Sequence, residues 1–203
     1  MQPTDVAGAF DDPEYFFEPW WPGTRTLAFV ENGRSRLQVE QLSDAAAAFP
    51  ELADIGDGLY ADGVVLDGTI LVLDDAGRPD QSLLRARLTG EGLPGRPAFV
   101  AADLLWLDGR SWMRRAFRAR RLALEQLVTE ADRVIVGRGY QRDGTLVGEA
   151  LASMGIDAVS ARRLDARHRS GQAGEAWLRI SLEPLPVPER PSLALILRLP
   201  LDT

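Results

Sequence analysis

The chain has no cysteine, no lysine and a single histidine, His168. Without cysteine there is no disulfide, no thiolate nucleophile and no cysteine-ligated zinc. Without lysine, no side chain can form a Schiff base or a lysyl phosphoramidate. All 23 basic residues are arginine. One histidine excludes a multi-histidine metal site and a histidine-based triad is without support, so His168 is expected at the surface. No apolar run approaches the roughly 20 residues of a membrane span. The first residues, MQPTDVAGAFDDPEYFF, are acidic and lack the basic and apolar regions of a signal peptide. A cytoplasmic location without membrane contact is the expectation.

What is present suits a globular protein. The 203 residues are 45% hydrophobic and 26% charged, enough to bury a substantial core. The net charge of -7 argues against generic nucleic-acid binding. The charge is uneven, however. Residues 51–80 carry eight acids against the one arginine Arg78, whereas residues 109–124 carry Arg110, Arg114, Arg115, Arg118, Arg120 and Arg121 and no acid. A run of this kind reads first as a solvated helix face. Its functional alternative is contact with DNA phosphates or an acidic partner.

The local pattern mixes strands and helices without regular βαβ alternation, so the class is α+β. Strands are expected at Thr26–Glu31 and Arg34–Gln41, joined at Asn32-Gly33, a pair suited to a tight hairpin. Ser43 is the expected cap of a helical segment Asp44–Phe49. Further strands are expected at Gly63–Leu73, Ala98–Leu107, Arg133–Val136, Ala158–Arg162 and Ala176–Leu182, and at Leu193–Leu199 after a proline-rich break. Helices are expected at Ser82–Leu88, Arg118–Glu130 and Leu146–Met154, the last ending at Gly155.

Five short stretches carry a more specific signal. Glu18-Pro-Trp-Trp-Pro-Gly-Thr-Arg25 precedes the hairpin. Leu66-Asp-Gly-Thr-Ile70 follows, then the turn Asp74–Asp80. Next come Ala102-Asp-Leu-Leu-Trp-Leu-Asp-Gly-Arg110, Gly155-Ile-Asp-Ala-Val-Ser-Ala-Arg-Arg-Leu-Asp165 and Trp177-Leu-Arg-Ile-Ser181. In this order, across residues 15–182, they resemble the nucleotidyltransferase (adenylation) domain of bacterial ATP-dependent DNA ligases, whose first motif reads E-P-K-W-D-G-x-R. The resemblance implies an ATP-grasp-like fold of two antiparallel sheets with flanking helices and a nucleotide site in the cleft between them. It also implies one degenerate adenylation domain over residues 1–203. Only 22 residues follow Ser181, too few for the OB-fold domain of active members.

The departures fall on the chemistry. By the resemblance, Trp20 stands at the nucleophilic lysine and Pro22 at the next aspartate. Thr69 replaces the glutamate that helps hold ribose or metal, and Ala102 replaces the phenylalanine that stacks on adenine. Asp157 replaces the glutamate linked to the metal and is the one candidate ligand kept. Arg162, Arg179 and Ser181 replace motif lysines. An indole has no lone pair to attack phosphorus, and a guanidinium stays protonated because its pKa exceeds about 12. The resemblance therefore implies a pseudoenzyme with no catalytic residue and no required cofactor. Weak ATP–Mg²⁺ or nicked-DNA binding through Arg25, Arg162 and Arg179 is left open, as is DNA contact through Arg110–Arg121 or a protein partner in DNA repair. The unspecific readings are core aromatics for Trp20 and Trp21, an ion pair for Arg25, and turn or cap roles for Asp67, Asp103 and Asp157.

Overall fold

The computed structural model describes residues 1–129 and 133–198. The C-terminal ends expected for the elements at Arg118–Glu130 and Leu193–Leu199 lie outside those residues. The chain forms two compact units, and the backbone passes from the first to the second between Trp20 and Trp21. The first contains residues 1–20, 114–118 and 137–198 among those described; the second contains residues 21–113, 119–129 and 133–136. Each is built on one sheet, which is the α+β class expected.

The first unit has a five-stranded sheet in the order β1 (Thr4–Ala7), β11 (Trp177–Ser181), β10 (Ala158–Arg163), β2 (Asp12–Pro19), β9 (Tyr140–Arg142). Its pairings are antiparallel except β1 with β11, which is parallel. One face packs on helix α4 (Gly144–Ser153). Phe17, Val159, Ala161, Leu178 and Ile180 meet Val147 and Leu151 there. The helix ends as its sequence requires. Gly155 takes a positive φ of 75°, a conformation cheap only for glycine, and the Ile156 amide donates back to the Leu151 carbonyl at 2.9 Å.

Strand β2 has no counterpart in the sequence reading. Tyr15 and Phe17 face the core, but Phe16 is half-buried and Glu18 buried on the other side. With both faces occupied, the alternation that marks a half-exposed strand is lost. The segment at Leu193–Arg198 is helix α5 rather than a strand. Ser192 accepts at its carbonyl from Leu195 and Ile196, and Leu193 and Ile196 are buried at helical spacing. A short apolar run does not by itself separate strand from helix.

The second unit has a six-stranded sheet. Its main order is β4 (Arg34–Val39), β3 (Thr24–Glu31), β5 (Val64–Leu73), β6 (Arg96–Leu107), β7 (Arg110–Ser111), with β8 (Val134–Val136) also on β6. Only the β6–β8 pairing is parallel. The two sheets are antiparallel, as expected, apart from one parallel pairing in each. Asn32 and Gly33 adopt φ of 54° and 74°, the conformation that closes the two-residue hairpin. The core gathers Phe49, Leu52, Ile55, Leu66, Ile70, Phe99, Leu104 and Leu124. Helices α1 (Ala45–Ala48), α2 (Gln81–Leu88) and α3 (Phe117–Leu127) and two short 3-10 turns, Pro50–Leu52 and Ile55–Gly58, lie in this part of the chain, with the first residues of α3 belonging to the first unit. The cap of α1 is Asp44, which accepts from the Ala47 amide at 3.1 Å, not Ser43. No helix among the described residues is long and apolar enough to cross a membrane.

Candidate functional site

The motif residues divide between the two units, and each group is organised by its own sheet. In the second unit, Arg25 on β3 holds Asp67 on β5. Its Nε donates to Oδ1 at 3.0 Å and its Nη2 to Oδ2 at 2.6 Å. Burial alone would lower the Arg25 pKa, but the hydrogen bonds and charge of Asp67 outweigh it and raise the pKa. Asp67 lies directly across from Asp103 on β6, and the register shifts on both sides of this region. Such bulges re-aim side chains, and here they bracket a pair of facing carboxylates. Asp103 is itself held by Arg120 of α3, through Nε–Oδ1 at 2.7 Å and Nη2–Oδ2 at 2.9 Å. Its Oδ1 also accepts from the Leu104 amide.

Asp67 and Asp103 are thus buried strand residues in ion pairs, which corrects the turn or cap reading for both. Each like charge is separately neutralised, which lets two carboxylates sit side by side. The basic run 110–121 is corrected in the same way. Arg110, Arg114, Arg115 and Arg118 are exposed, but Arg120 and Arg121 are buried, paired with Asp103 and Glu125. A solvated face or DNA contact can draw on four of the six, not on all.

Two motif glycines are fixed by space. A Cβ on Gly23 would stand 2.2 Å from the Ile70 carbonyl oxygen, and one on Gly68 would stand 2.4 Å from that of Val100. Both contacts are with backbone, which does not yield. The neighbouring motif positions carry no group of comparable consequence. Pro22 is exposed and its carbonyl accepts from Gln81 Nε2. Thr69 is half-buried opposite Arg25, and Ala102 presents only a methyl group.

In the first unit, the sheet face opposite α4 carries Phe16, Glu18, Ser160, Arg162, Trp177 and Arg179, as the β2–β10 and β10–β11 registers require. Trp20 continues β2 with its amide bonded to the Ala158 carbonyl. Its indole stacks on Trp177, with centroids 5.7 Å apart and planes at 29°. The Arg179 guanidinium lies 5.4 Å from the Trp20 ring centroid. That of Arg162 lies 4.4 Å from Trp177 and 5.5 Å from Phe117. The result is a continuous chain of contacts from Phe117 through Arg162, Trp177 and Trp20 to Arg179. Cation–π contacts contribute from about 0.5 to about 2 kcal/mol each, most where water is excluded. Arg162 and Trp177 are in that class, being buried. Arg162 also forms an ion pair with Glu18 at 3.5 Å, and Trp177 Nε1 donates to Ser160 Oγ at 3.0 Å.

Asp157, the candidate metal ligand, is exposed in the loop before β10, and its carbonyl accepts from the Leu182 amide. Among the described residues no three His, Cys, Asp or Glu side chains gather where they could hold an ion. Ser181 is exposed at the end of β11, within reach of Arg179. Sequence reasoning gave no role to Phe117 and did not foresee the partners of Glu18 and Arg120. Their partners are distant in the chain or on other elements, and no local spacing announces them.

No protein-family model matches the chain. It is 32% identical to the multifunctional non-homologous end joining DNA repair protein LigD of Mycobacterium tuberculosis over 166 residues, 82% of this chain. That match covers 21% of LigD, so the chain spans about a fifth of the relative's length. Among solved structures, it is similar to mycobacterial DNA ligase D complexed with ATP and MES, with a TM-score of 0.72 and 27% identity over 88% of this chain and 60% of that one. The ligase domain of M. tuberculosis LigD gives a TM-score of 0.70 at 28% identity, over 87% of this chain and 58% of that one. By sequence and by fold, the chain is a homologue of the nucleotidyltransferase domain of LigD and other ATP-dependent DNA ligases.

Proposed function

We propose that this chain is a ligase-derived binding or regulatory module in a DNA-repair setting, and that it does not form a covalent adenylate. The observation that carries this reading is the environment of Trp20. The residue aligned with the nucleophilic lysine is an indole, stacked on Trp177 and faced by Arg179. It offers no lone pair for attack, and the chain supplies no lysine to replace it. The surrounding cations are guanidiniums, which bind phosphate but do not attack it. Loss of a catalytic nucleophile alone costs on the order of 10⁶-fold in another enzyme. Thr69 and Ala102 remove a carboxylate and an aromatic platform in addition.

The residues at these positions do not fit a covalently held nucleotide. Arg162 is buried between aromatic rings and paired with Glu18, and Arg25 is engaged by Asp67. Incubation with labelled ATP and Mg²⁺, followed by intact-mass measurement, tests the proposal. The expected result is unmodified protein. A stable protein–AMP adduct would falsify it.

A partner reading follows from the exposed arginines that the first unit carries in this run, Arg114, Arg115 and Arg118. We propose that they contact phosphates of nicked DNA at low ionic strength. Replacing all three by alanine should weaken binding to a nicked duplex and flatten its salt dependence. An unchanged salt slope would remove DNA from the proposal and leave a protein partner.

A further inference from the structure

The connection between β10 and β11, residues 164–176, is not a loose loop. The Arg163 amide donates to the Ala176 carbonyl at 3.1 Å and closes its base. The Leu164 amide donates to the Glu14 carbonyl at 2.7 Å. Tyr15 Oη donates to the Glu175 carbonyl at 2.9 Å, and the Gly174 amide to Thr4 Oγ1 at 3.0 Å. Both ends are thereby tied to β1 and β2, and the connection lines an open pocket of about 400 Å³ within the first unit.

The lining of this pocket is basic on an acidic protein. Arg163, Arg167 and Arg169 contribute, together with Gln172, Asp165 and Glu175. Arg163 is committed, with its Nε on Asp165 at 2.9 Å and its Nη2 on Glu14 at 3.2 Å. That ion pair also occupies Asp165. Arg167 and Arg169 are exposed and have no ion pair among the described residues. Two guanidiniums two residues apart, on a tethered loop beside an open pocket, form a receptor for a compact anion. Charge-assisted bonds from arginine forks favour planar or tetrahedral oxyanions. Arg167 and Arg169 together outweigh the one carboxylate of Glu175, and a net positive field attracts a dianion more strongly than a monoanion.

We propose that this pocket binds a phosphate monoester through Arg167 and Arg169. The site shares no residue with the Trp20 stack, so it stands or falls independently of the adenylation reading. The test follows arginine Nε–Hε resonances of the full chain during titration with inorganic phosphate at fixed ionic strength. The expected result is saturable shifts at Arg167 and Arg169. Dimethyl phosphate, a monoanion, should bind at least about tenfold more weakly, and the R167A/R169A variant should lose at least about tenfold in affinity for inorganic phosphate. The R167K/R169K variant should retain part of the binding, and the W20A variant all of it. Non-saturating shifts, equal affinity for dimethyl phosphate, or undiminished binding by R167A/R169A would each overturn the assignment.

Discussion

The two units bury arginine in opposite ways. In the second, the guanidiniums of Arg25, Arg87 and Arg120 are each met by a carboxylate fork: Asp67, Glu51 and Asp103. Arg87 additionally donates to the carbonyls of Ala48, Leu93, Pro94 and Gly95. In the first, Arg162 lies against Trp177 and Phe117, with Glu18 at 3.5 Å. A bidentate pair fixes geometry through directed hydrogen bonds. A ring face attracts the cation with less directional constraint. The second unit therefore keeps the motif residues that hold strands together, whereas the first has turned its share of the motif into a stack. The boundary between Trp20 and Trp21 divides these two outcomes within a single motif.

The comparison is tested hardest where a fork is broken. Asp103 and Arg120 are both fully buried. Arg120→Ala leaves the Asp103 carboxylate without its cation in the interior, at a cost of about 3–5 kcal/mol. Urea unfolding should show this as a lower midpoint with an unchanged slope. A loss below about 1 kcal/mol would mean that the fork is not what supports β6, and the contrast between the units would fail.

Parts of this arrangement were legible in the sequence. The Asn32-Gly33 hairpin, the strands at β5 and β6 and the stop at Gly155 each follow from a local rule about φ or periodicity. Motif order led to the fold and to Trp20 as the altered position. What was not legible depends on distant pairing. Arg120 lies in a run of six arginines with no acid, yet its partner sits 17 residues earlier on another element. Trp177 reads as a motif aromatic, and only the β10–β11 register sets Arg162 beside it. The parallel placements of β1 and β8 are likewise choices of the folded sheet, invisible to alternation within either strand.

The stack should respond more gently. Trp20 is half-buried, and its neighbours Trp177 and Arg179 also contact Arg162 and Asp5. Trp20→Ala is expected to cost about 2 kcal/mol, combining lost apolar area with one aromatic pair. The paired-indole signal in near-ultraviolet circular dichroism should disappear with it. A variant that keeps that signal would show that Trp20 and Trp177 are not the coupled rings. A cost equal to that of Arg120→Ala would erase the difference between fork and stack.

The smallest expected effect is the most selective probe of the fork. Burial tends to raise the Glu51 pKa, but the hydrogen bond and charge of Arg87 overcome this and hold it below the usual value of 4.5. A carboxyl depressed on folding stabilises the native state above its unfolded pKa. That contribution disappears as pH falls through the folded value. Wild-type stability should therefore decline with acid below about pH 4.5, in part because of Glu51. Glu51→Gln should lower stability near neutral pH and reduce the steepness of that decline. The side chain is 36% exposed, so solvent screening keeps the effect modest. If Glu51→Gln leaves the acid limb as steep as in the wild type, the acid response is a property of surface charge at large, and the carboxylate forks of the second unit lose their claim to be distinct.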